Sequence, residues 1–180
     1  MRKPSRLLAI FQRRGPVEKS SASQQRDQCL FCGLKLRGCS TYQRLRVCSK
    51  CRFHYSVTAR ERIEEIADPL SFKESHGALV SLDPLTFSSR VSYQNRLFQD
   101  RNRTGLTEAA VIGTGTIDRI PVTLVILDFG FMGGTMGSVV GEKVTLAFEL
   151  AARKKTPLVA VVTSGGTRFQ EGILSLVQMA

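Results

Sequence analysis

Four cysteines in a C-x2-C-x15-C-x2-C pattern constrain the fold of this chain more than any other feature of its sequence. Two such pairs predict two tight turns that direct their thiolates at one metal ion. The predicted ligands are Cys29, Cys32, Cys48 and Cys51. Because four thiolates complete a tetrahedron, the spacing predicts a structural zinc ribbon over residues 29–55 and leaves no coordination position for a substrate. A disulfide pair or free thiols are the alternatives.

The segment between the cysteine pairs carries three further expectations. Residues 41–47 are predicted to form the return strand of a short hairpin, and Cys39 within that hairpin is expected to be a free thiol. Gly33 follows the first pair, where a turn favours positive φ, but Arg52 follows the second pair. The second turn is therefore expected to be strained or to have a different shape.

Charge is distributed unevenly along the chain. Residues 1–62 hold 15 of the 26 Lys and Arg but 3 of the 15 Asp and Glu. Such a basic region attracts nucleic acid, a phosphate-rich cofactor or an acidic protein, unless it is only a solvated face. Residues 1–28 are predicted to be a basic flexible segment. No apolar run reaches the ~18 residues of a membrane span, so none is expected.

Residues 56–180 are predicted to form a second domain of α/β type. Thr58 and Glu61 have the spacing of a capping box and predict a helix within residues 56–68. A polar, amphipathic helix is predicted over residues 93–105. Two β-rich runs follow, residues 108–117 and 120–129.

Glycine-dense loops follow two of the predicted strands. The first, residues 130–143, opens a predicted helix over about residues 138–155, whose apolar face comprises Val140, Val144, Ala147, Phe148 and Ala151. The second follows a predicted strand over residues 158–163, contains Gly165 and Gly166, and opens another helix. Glycines of this kind are common in tight strand-to-helix turns, which is one interpretation of both loops.

The other interpretation is an anion or oxyanion site. Each loop supplies backbone N–H groups at a helix N-terminus, which favours negative charge. No Ser-His-Asp or Cys-His set accompanies the loops in the sequence. The pattern therefore predicts catalysis by stabilisation of a developing oxyanion rather than by covalent attack.

The motifs "SVTARERI", "GFMGGTMGSVVGEK" and "TSGGTRFQEG", in this order after the cysteine pairs, resemble the beta subunit of bacterial and plastid acetyl-CoA carboxylase carboxyltransferase. The resemblance covers residues 29–180. It implies a crotonase-type fold of stacked ββα units. The expected fold class is therefore α/β, with an N-terminal four-Cys zinc ribbon followed by the N-terminal part of a crotonase-like carboxyltransferase domain.

The resemblance also implies an activity. The family moves a carboxyl group from carboxybiotin, on a carrier protein, to acetyl-CoA, and the product malonyl-CoA enters fatty-acid synthesis. By resemblance, Gly165 and Gly166 are catalytic and donate N–H groups to the thioester oxygen. The residues expected to bind substrate are Gly133, Gly134, Met136, Gly137 and Arg168.

Partners and compartment are likewise implied by the resemblance. The expected partners are the carboxyltransferase alpha subunit in an α2β2 assembly, biotin carboxyl carrier protein and biotin carboxylase. The chain is expected to be inactive without its partner subunit. The expected compartment is the cytoplasm, with a plastid or another organelle as the alternative.

Three departures from the family pattern stand out. Thr167 occupies a position where the family usually has Ala, and Phe169 one where it usually has Met. The family also continues beyond the position of Ala180, so the chain is expected to be a fragment, a split gene product or a diverged copy. Two other hypotheses are a zinc-ribbon module that binds nucleic acid or acts as a scaffold without catalytic activity, and another crotonase-type enzyme such as an acyl-CoA decarboxylase. The zinc ribbon argues against the latter.

Overall fold

The structure is a computed structural model that describes residues 27–178. The predicted N-terminal segment, residues 1–28, lies almost wholly outside the described residues. The chain divides into two compact units, one reaching to Tyr55 and the other beginning at Ser56, and each has its own cluster of buried side chains. No helix within residues 27–178 is long and apolar enough to cross a membrane.

Two turns of the same shape carry the cysteine pairs of the first unit. The Gly33 amide donates to the Cys29 carbonyl, and the Arg52 amide donates to the Cys48 carbonyl, both at 2.9 Å. Gly33 has a φ of 71° and Arg52 a φ of 62°. The second turn was expected either to be strained or to have a different shape. It has the same shape and is strained, because a residue with a side chain adopts the left-handed conformation there.

The segment between these turns is helical rather than extended. Helix α1 (Ser40–Leu45) replaces most of the strand predicted for residues 41–47, which was wrong except at Val47, where one antiparallel bridge survives. Tyr42 packs edge-on against Tyr55, with ring centroids 5.1 Å apart. No side chain of this short helix is fully buried, so packing does not override the helical preference of its Gln, Arg and Leu residues.

The second unit is a mixed four-stranded sheet with helices. Its strands are β1 (Lys73–Ser75), β2 (Ala110–Ile117), β3 (Ile120–Leu127) and β4 (Leu158–Val161). Its helices are α2 (Ala59–Ile66), α3 (Tyr93–Thr104), α4 (Ser138–Lys154) and α5 (Ile173–Val177). The strand order is β1-β2-β3-β4; β3 and β4 are parallel, and the other neighbours are antiparallel. The ββα order β2, β3, α4 is the predicted one.

The core of this unit lies around β3 and α4. Residues 122–127 of β3 are all buried, as expected of a strand covered on both faces. Four of the five predicted apolar positions of α4 pack inward, and the exception is Phe148, which is 58 % exposed. Lys143 lies inside instead, and its ammonium group donates to the Ala110 carbonyl at 2.9 Å. The prediction for Phe148 was wrong because that side chain points away from the sheet.

Carboxylates hold two local structures of the second unit in place. The turn between β2 and β3 has positive φ at Asp118 (48°) and Arg119 (67°), as a type I′ turn requires. Asp68 accepts from both of their amides, at 3.0 and 2.8 Å. At the other end of β3, Asp128 accepts from the Ala59 amide at 2.7 Å and so caps α2 from outside that helix.

The predicted start of α2 is confirmed in detail. Thr58 precedes the helix and accepts from the Glu61 amide at 3.2 Å, while the Glu61 carboxylate accepts from the Thr58 amide at 3.0 Å. This reciprocal pair is the capping box that the spacing predicts. Helix α3 begins similarly, with the Ser92 hydroxyl accepting from the Asn95 amide.

Candidate active site and metal centre

Two glycine-rich loops lie side by side where β3 and β4 end. Loop A (residues 128–137) connects β3 to α4, and loop B (residues 162–172) connects β4 to α5. Because β3 and β4 are parallel neighbours, both loops leave the same edge of the sheet. Three backbone hydrogen bonds join them: Gly165 N–H to Gly133 O (2.8 Å), Met136 N–H to Gly166 O (2.8 Å) and Arg168 N–H to Met136 O (2.9 Å).

Two of the predicted substrate-binding glycines are needed for packing inside the protein. A Cβ at Gly134 would lie 2.1 Å from the Thr163 carbonyl oxygen, so only glycine lets loop A approach loop B this closely. A Cβ at Gly137 would lie 2.5 Å from Oε1 of Glu171. Their missing side chains make room for loop B rather than for a ligand.

Gly133 and Gly166 differ from this pair. Their φ values are 69° and 108°, and a Cβ on either would meet no atom within 4 Å among the described residues. The backbone at Gly166 therefore faces open space and adopts a conformation that disfavours any side chain. These two positions are the ones where a ligand can approach bare backbone.

The amides of the predicted catalytic glycines are both engaged. The Gly165 N–H donates to the Gly133 carbonyl at 2.8 Å, and the Gly166 N–H donates to Oγ of Ser164 at 3.0 Å. In this conformation neither amide is therefore free to bind a ligand. The two bonds differ in kind, because a hydroxyl acceptor can rotate away from Gly166, whereas the Gly133 carbonyl moves only with the backbone.

The N-terminus of α4 already holds a negative charge. Oε2 of Glu171 accepts from both the amide and the hydroxyl of Ser138, each at 2.7 Å. Loop A was expected to offer this helix N-terminus to a ligand anion, and the structure corrects that expectation. A carboxylate from loop B takes the place that favours negative charge.

Arg168 also has a different environment from the one predicted. Its side chain is 0 % exposed, and its guanidinium binds the Glu108 carboxylate through Nη1 (2.9 Å) and Nη2 (2.6 Å). Nη2 also donates to the Thr135 carbonyl at 2.7 Å. Arg168 follows the glycine pair closely in sequence, but its side chain turns into the protein, so a direct contact with substrate is excluded in this conformation.

Met136, the remaining predicted substrate-binding residue, joins the two loops through its backbone. It forms a parallel bridge with Thr167, and its side chain is partly buried against the core. The structure therefore brings all the predicted glycines, Met136 and Arg168 into one place. Of these, Gly133 and Gly166 present open backbone.

Burial and hydrogen bonding shift the pKa values of the groups around Arg168 in opposing ways. Burial alone raises the pKa of Glu171, but donors from Tyr93 and Ser138 more than compensate and the pKa falls below its usual value. Burial, reinforced by Glu171, raises the pKa of Tyr93. Burial disfavours the charged Arg168, but bonding to Glu108 raises its pKa overall. Glu171 and Arg168 are thus ionised at neutral pH, and Tyr93 keeps its proton.

In the first unit, the four predicted ligands converge. The Sγ atoms of Cys29, Cys32, Cys48 and Cys51 all lie within 4.8 Å of one another, and no cysteine of the described residues forms a disulfide. Although burial opposes ionisation, the Tyr55 hydroxyl and backbone amides lower the pKa of Cys29 to about 6, whereas burial raises that of Cys51 to about 12. Cys39 lies apart and bonds to Ser49 at 3.3 Å. Four converging thiols are a donor set that fits a tetrahedral metal ion.

The sequence interpretation missed the acidic partners of Arg168. Glu108 and Glu171 are 0 % and 1 % exposed, and neither was singled out. A weak signal exists for each, since Glu108 begins the predicted β-rich run 108–117 and Glu171 directly precedes Gly172. Glu108 and Arg168 are 60 residues apart, so local patterns give no indication that they pair.

Comparison with known proteins places the second unit in a class. Residues 56–180 match the carboxyl transferase domain, and the chain therefore belongs to the carboxyl transferase family. The predicted fold class, a four-cysteine unit followed by crotonase-like α/β structure, is confirmed.

Within that family, the chain is similar to proteins named acetyl-coenzyme A carboxylase carboxyl transferase subunit beta. It is 43 % identical over 154 residues to the protein of Prochlorococcus marinus (strain NATL1A), covering 86 % of this chain and 52 % of that protein. It is 52 % identical over 134 residues to that of Methylacidiphilum infernorum (isolate V4), covering 74 % and 48 %. The chain thus spans about half the length of these relatives. They do not favour a nucleic-acid-binding module without activity.

A solved structure agrees at the level of the fold. The transcarboxylase 12S structure with methylmalonyl-coenzyme A and methylmalonic acid bound superposes with a TM-score of 0.54 and 32 % sequence identity. The match covers 68 % of this chain and 22 % of the transcarboxylase chain.

Proposed function

We propose that this chain takes part in transferring a carboxyl group from carboxybiotin to acetyl-CoA, which yields malonyl-CoA. The observation that carries the proposal is the open backbone of Gly166, at the point where loops A and B meet beyond two parallel strands. The names of the relatives support the reaction, and the methylmalonyl-coenzyme A bound to transcarboxylase 12S supports an acyl-CoA substrate.

The chemistry requires an oxyanion to be stabilised. Removing a proton from the acetyl methyl group places negative charge on the thioester oxygen, and the resulting carbanion bonds to the carbon of CO2. A donor that binds this oxygen more strongly when it is charged lowers the barrier, and one such donor is worth about 3 kcal/mol. Carboxybiotin supplies CO2, and its ureido nitrogen, freed by that loss, accepts the proton.

The Gly166 amide is the donor best placed to act. Rotation of the Ser164 side chain about χ1 takes the acceptor away from this amide without any change in backbone. The Gly165 amide joins only if loop A releases it from the Gly133 carbonyl. In this proposal Gly133 lines the acyl-CoA site through its backbone and Met136 joins the two loops beside it, whereas Gly134 and Gly137 act by letting the loops approach.

For the first unit we propose a structural Zn2+ held by the four converging thiolates. The fit rests on the mutual distances of the Sγ atoms and on the all-sulfur donor set. Four protein ligands leave no position for substrate, so the ion supplies folding free energy rather than catalysis. The division into a ribbon, residues 29–55, and a transferase part, residues 56–180, is part of the same proposal.

The proposed partners are the carboxyltransferase alpha subunit, biotin carboxyl carrier protein and biotin carboxylase. This part rests on the word "subunit" in the relatives' names and on the need for a carrier that delivers carboxybiotin. The cytoplasm is the proposed compartment; a plastid is the alternative, because a chloroplastic relative exists in Pyropia yezoensis.

Replacing Gly166 by alanine tests the proposed donor. The assay is malonyl-CoA formation from carboxybiotin and acetyl-CoA by the chain assembled with its alpha subunit. Because a Cβ at φ 108° forces the backbone to move, we expect Gly166→Ala to lower kcat about a hundredfold.

Gly105→Ala is the matched control. Gly105 also has a positive φ (69°) and open space around a Cβ, but it ends α3 and lies in neither loop. This variant should keep its turnover. Unchanged turnover in a folded, assembled Gly166→Ala protein would contradict the donor, and no turnover by the assembled parent chain would contradict the function.

A further inference from the structure

Among the buried charged side chains of the second unit, four are almost completely excluded from solvent, and the proposed chemistry uses none of these four. Glu108, Lys143, Arg168 and Glu171 are each at most 1 % exposed. Removing charges from water is costly and is repaid only by close, well-formed pairing. Replacing such a cluster with apolar side chains often leaves a protein equally stable, so a role other than stability has to be considered.

The contacts of Arg168 show what the cluster holds. Its guanidinium donates to Thr135 twice, from Nη2 to the carbonyl oxygen at 2.7 Å and from Nε to Oγ1 at 3.2 Å. Thr135 lies in loop A and Arg168 in loop B. The bidentate bond to Glu108, two residues before β2, fixes the guanidinium to the segment that enters the sheet. One side chain therefore ties both loops to a rigid element.

Glu171 and Tyr93 complete the connection from the other side. Glu171 belongs to loop B and binds the first residue of α4, which is Ser138. The Tyr93 hydroxyl donates to Glu171 at 2.6 Å and accepts from Nη1 of Arg168 at 3.3 Å. The two loops are thus held at each end by charge-assisted hydrogen bonds, which are stronger than neutral ones.

We propose that Arg168 is a positioning residue which, with Glu108, Glu171 and Tyr93, sets the spacing between loops A and B and so the direction of the Gly166 amide. The effect on catalysis rests on the proposed function, but the effect of Arg168 on the spacing between loops A and B does not. The guanidinium of Arg168 binds groups inside the protein instead of a ligand. This explains why Arg168 lies beside the site without reaching it.

Amide hydrogen exchange of the full chain separates positioning from general stability. Arg168→Lys keeps the charge but loses the planar fork that binds Glu108 and Thr135 together. We expect the Gly165 and Met136 amides, which bridge the loops, to exchange about tenfold faster. The amides of β2 and β3 should keep their protection.

Two further variants complete the experiment. Tyr93→Phe removes one hydroxyl and should produce the same pattern with a smaller change; it carries the test if Arg168→Lys does not fold. Arg62→Lys is the control, because Arg62 also donates to a carboxylate, that of Glu65 at 2.7 Å, but both residues lie on α2. It should leave loop exchange unaltered.

The outcomes distinguish the two hypotheses. Uniformly faster exchange in Arg168→Lys and Tyr93→Phe, or no change in the loops, overturns the positioning role. In the assembled enzyme, positioning predicts that kcat and kcat/KM fall by the same factor of about ten or more, with KM unchanged. If the loops exchange faster in the variants but the unsubstituted chain forms no malonyl-CoA, the positioning role stands and only the proposed function is refuted.

Discussion

Residues 27–55 and residues 56–178 bury very different amounts of apolar side chain. The core of the first unit contains three buried residues, Cys29, Leu36 and Cys48, two of which are proposed metal ligands. That of the second unit contains 19, mostly aliphatic and aromatic. A unit with so small a core depends on cross-links or a metal, whereas the larger one can fold through apolar burial. Substitutions should therefore affect the two units in different ways.

The largest expected effect is that of Cys48→Ser, which removes a fully buried proposed ligand. Structural zinc contributes about 10–16 kcal/mol to comparable small domains, so we expect the first unit to unfold completely. Metal content measured by mass spectrometry and hydrogen exchange of each unit check this. Residues 56–178 should keep their protection, because their core shares no residue with the first unit.

Cys39→Ser provides the control for that experiment. The Cys39 thiol bonds to the Ser49 hydroxyl and lies outside the cluster. Its replacement should leave both metal content and fold unchanged. A folded, metal-loaded Cys48→Ser protein would refute the four-thiolate centre, and with it the contrast between the two units.

The next effect in size is that of Leu124→Ala, in the middle of β3. Leu124 is 0 % exposed, and shortening a buried leucine to alanine typically costs about 2–5 kcal/mol because it leaves a cavity. We expect a loss in that range from urea denaturation of the second unit, with no change in metal content. Ile120→Ala on the same strand is the control, because Ile120 is 59 % exposed and should change stability by at most about 0.5 kcal/mol. Equal losses in both variants would contradict a core centred on β3.

The same contrast explains which features could be predicted from the sequence. The cysteine pairs, the Thr58–Glu61 capping box and the succession of strands and helices follow from spacing and periodicity, which act over a few residues. The α1 segment was predicted wrongly because none of its side chains is fully buried, so its sequence shows neither the helical nor the strand period of apolar residues.

The interior of the candidate site could not be predicted in this way. Glu108 and Arg168 meet across 60 residues of chain, and Glu171 fills the helix N-terminus that the glycine pattern predicts as an anion site. A glycine that leaves room for a ligand and a glycine that leaves room for a carboxylate of the same chain look identical in the sequence. Gly137 and Gly166 are distinguished only by what lies beside them.

The smallest expected effect concerns the two turns of the first unit. A left-handed conformation costs a residue with a side chain roughly 1–2 kcal/mol, and Arg52 bears this cost at φ 62°. Arg52→Gly removes it, but the greater freedom of glycine in the unfolded chain offsets about 0.5–1 kcal/mol of the gain. We therefore expect a net gain of at most about 1 kcal/mol, seen as several-fold tighter metal binding in competition with a chelator.

Gly33→Ala, at φ 71° with no atom within 4 Å of the new Cβ among the described residues, should weaken binding through backbone strain alone. Weaker binding by Arg52→Gly would show that the Arg52 side chain, rather than the shape of the turn, matters for the metal centre.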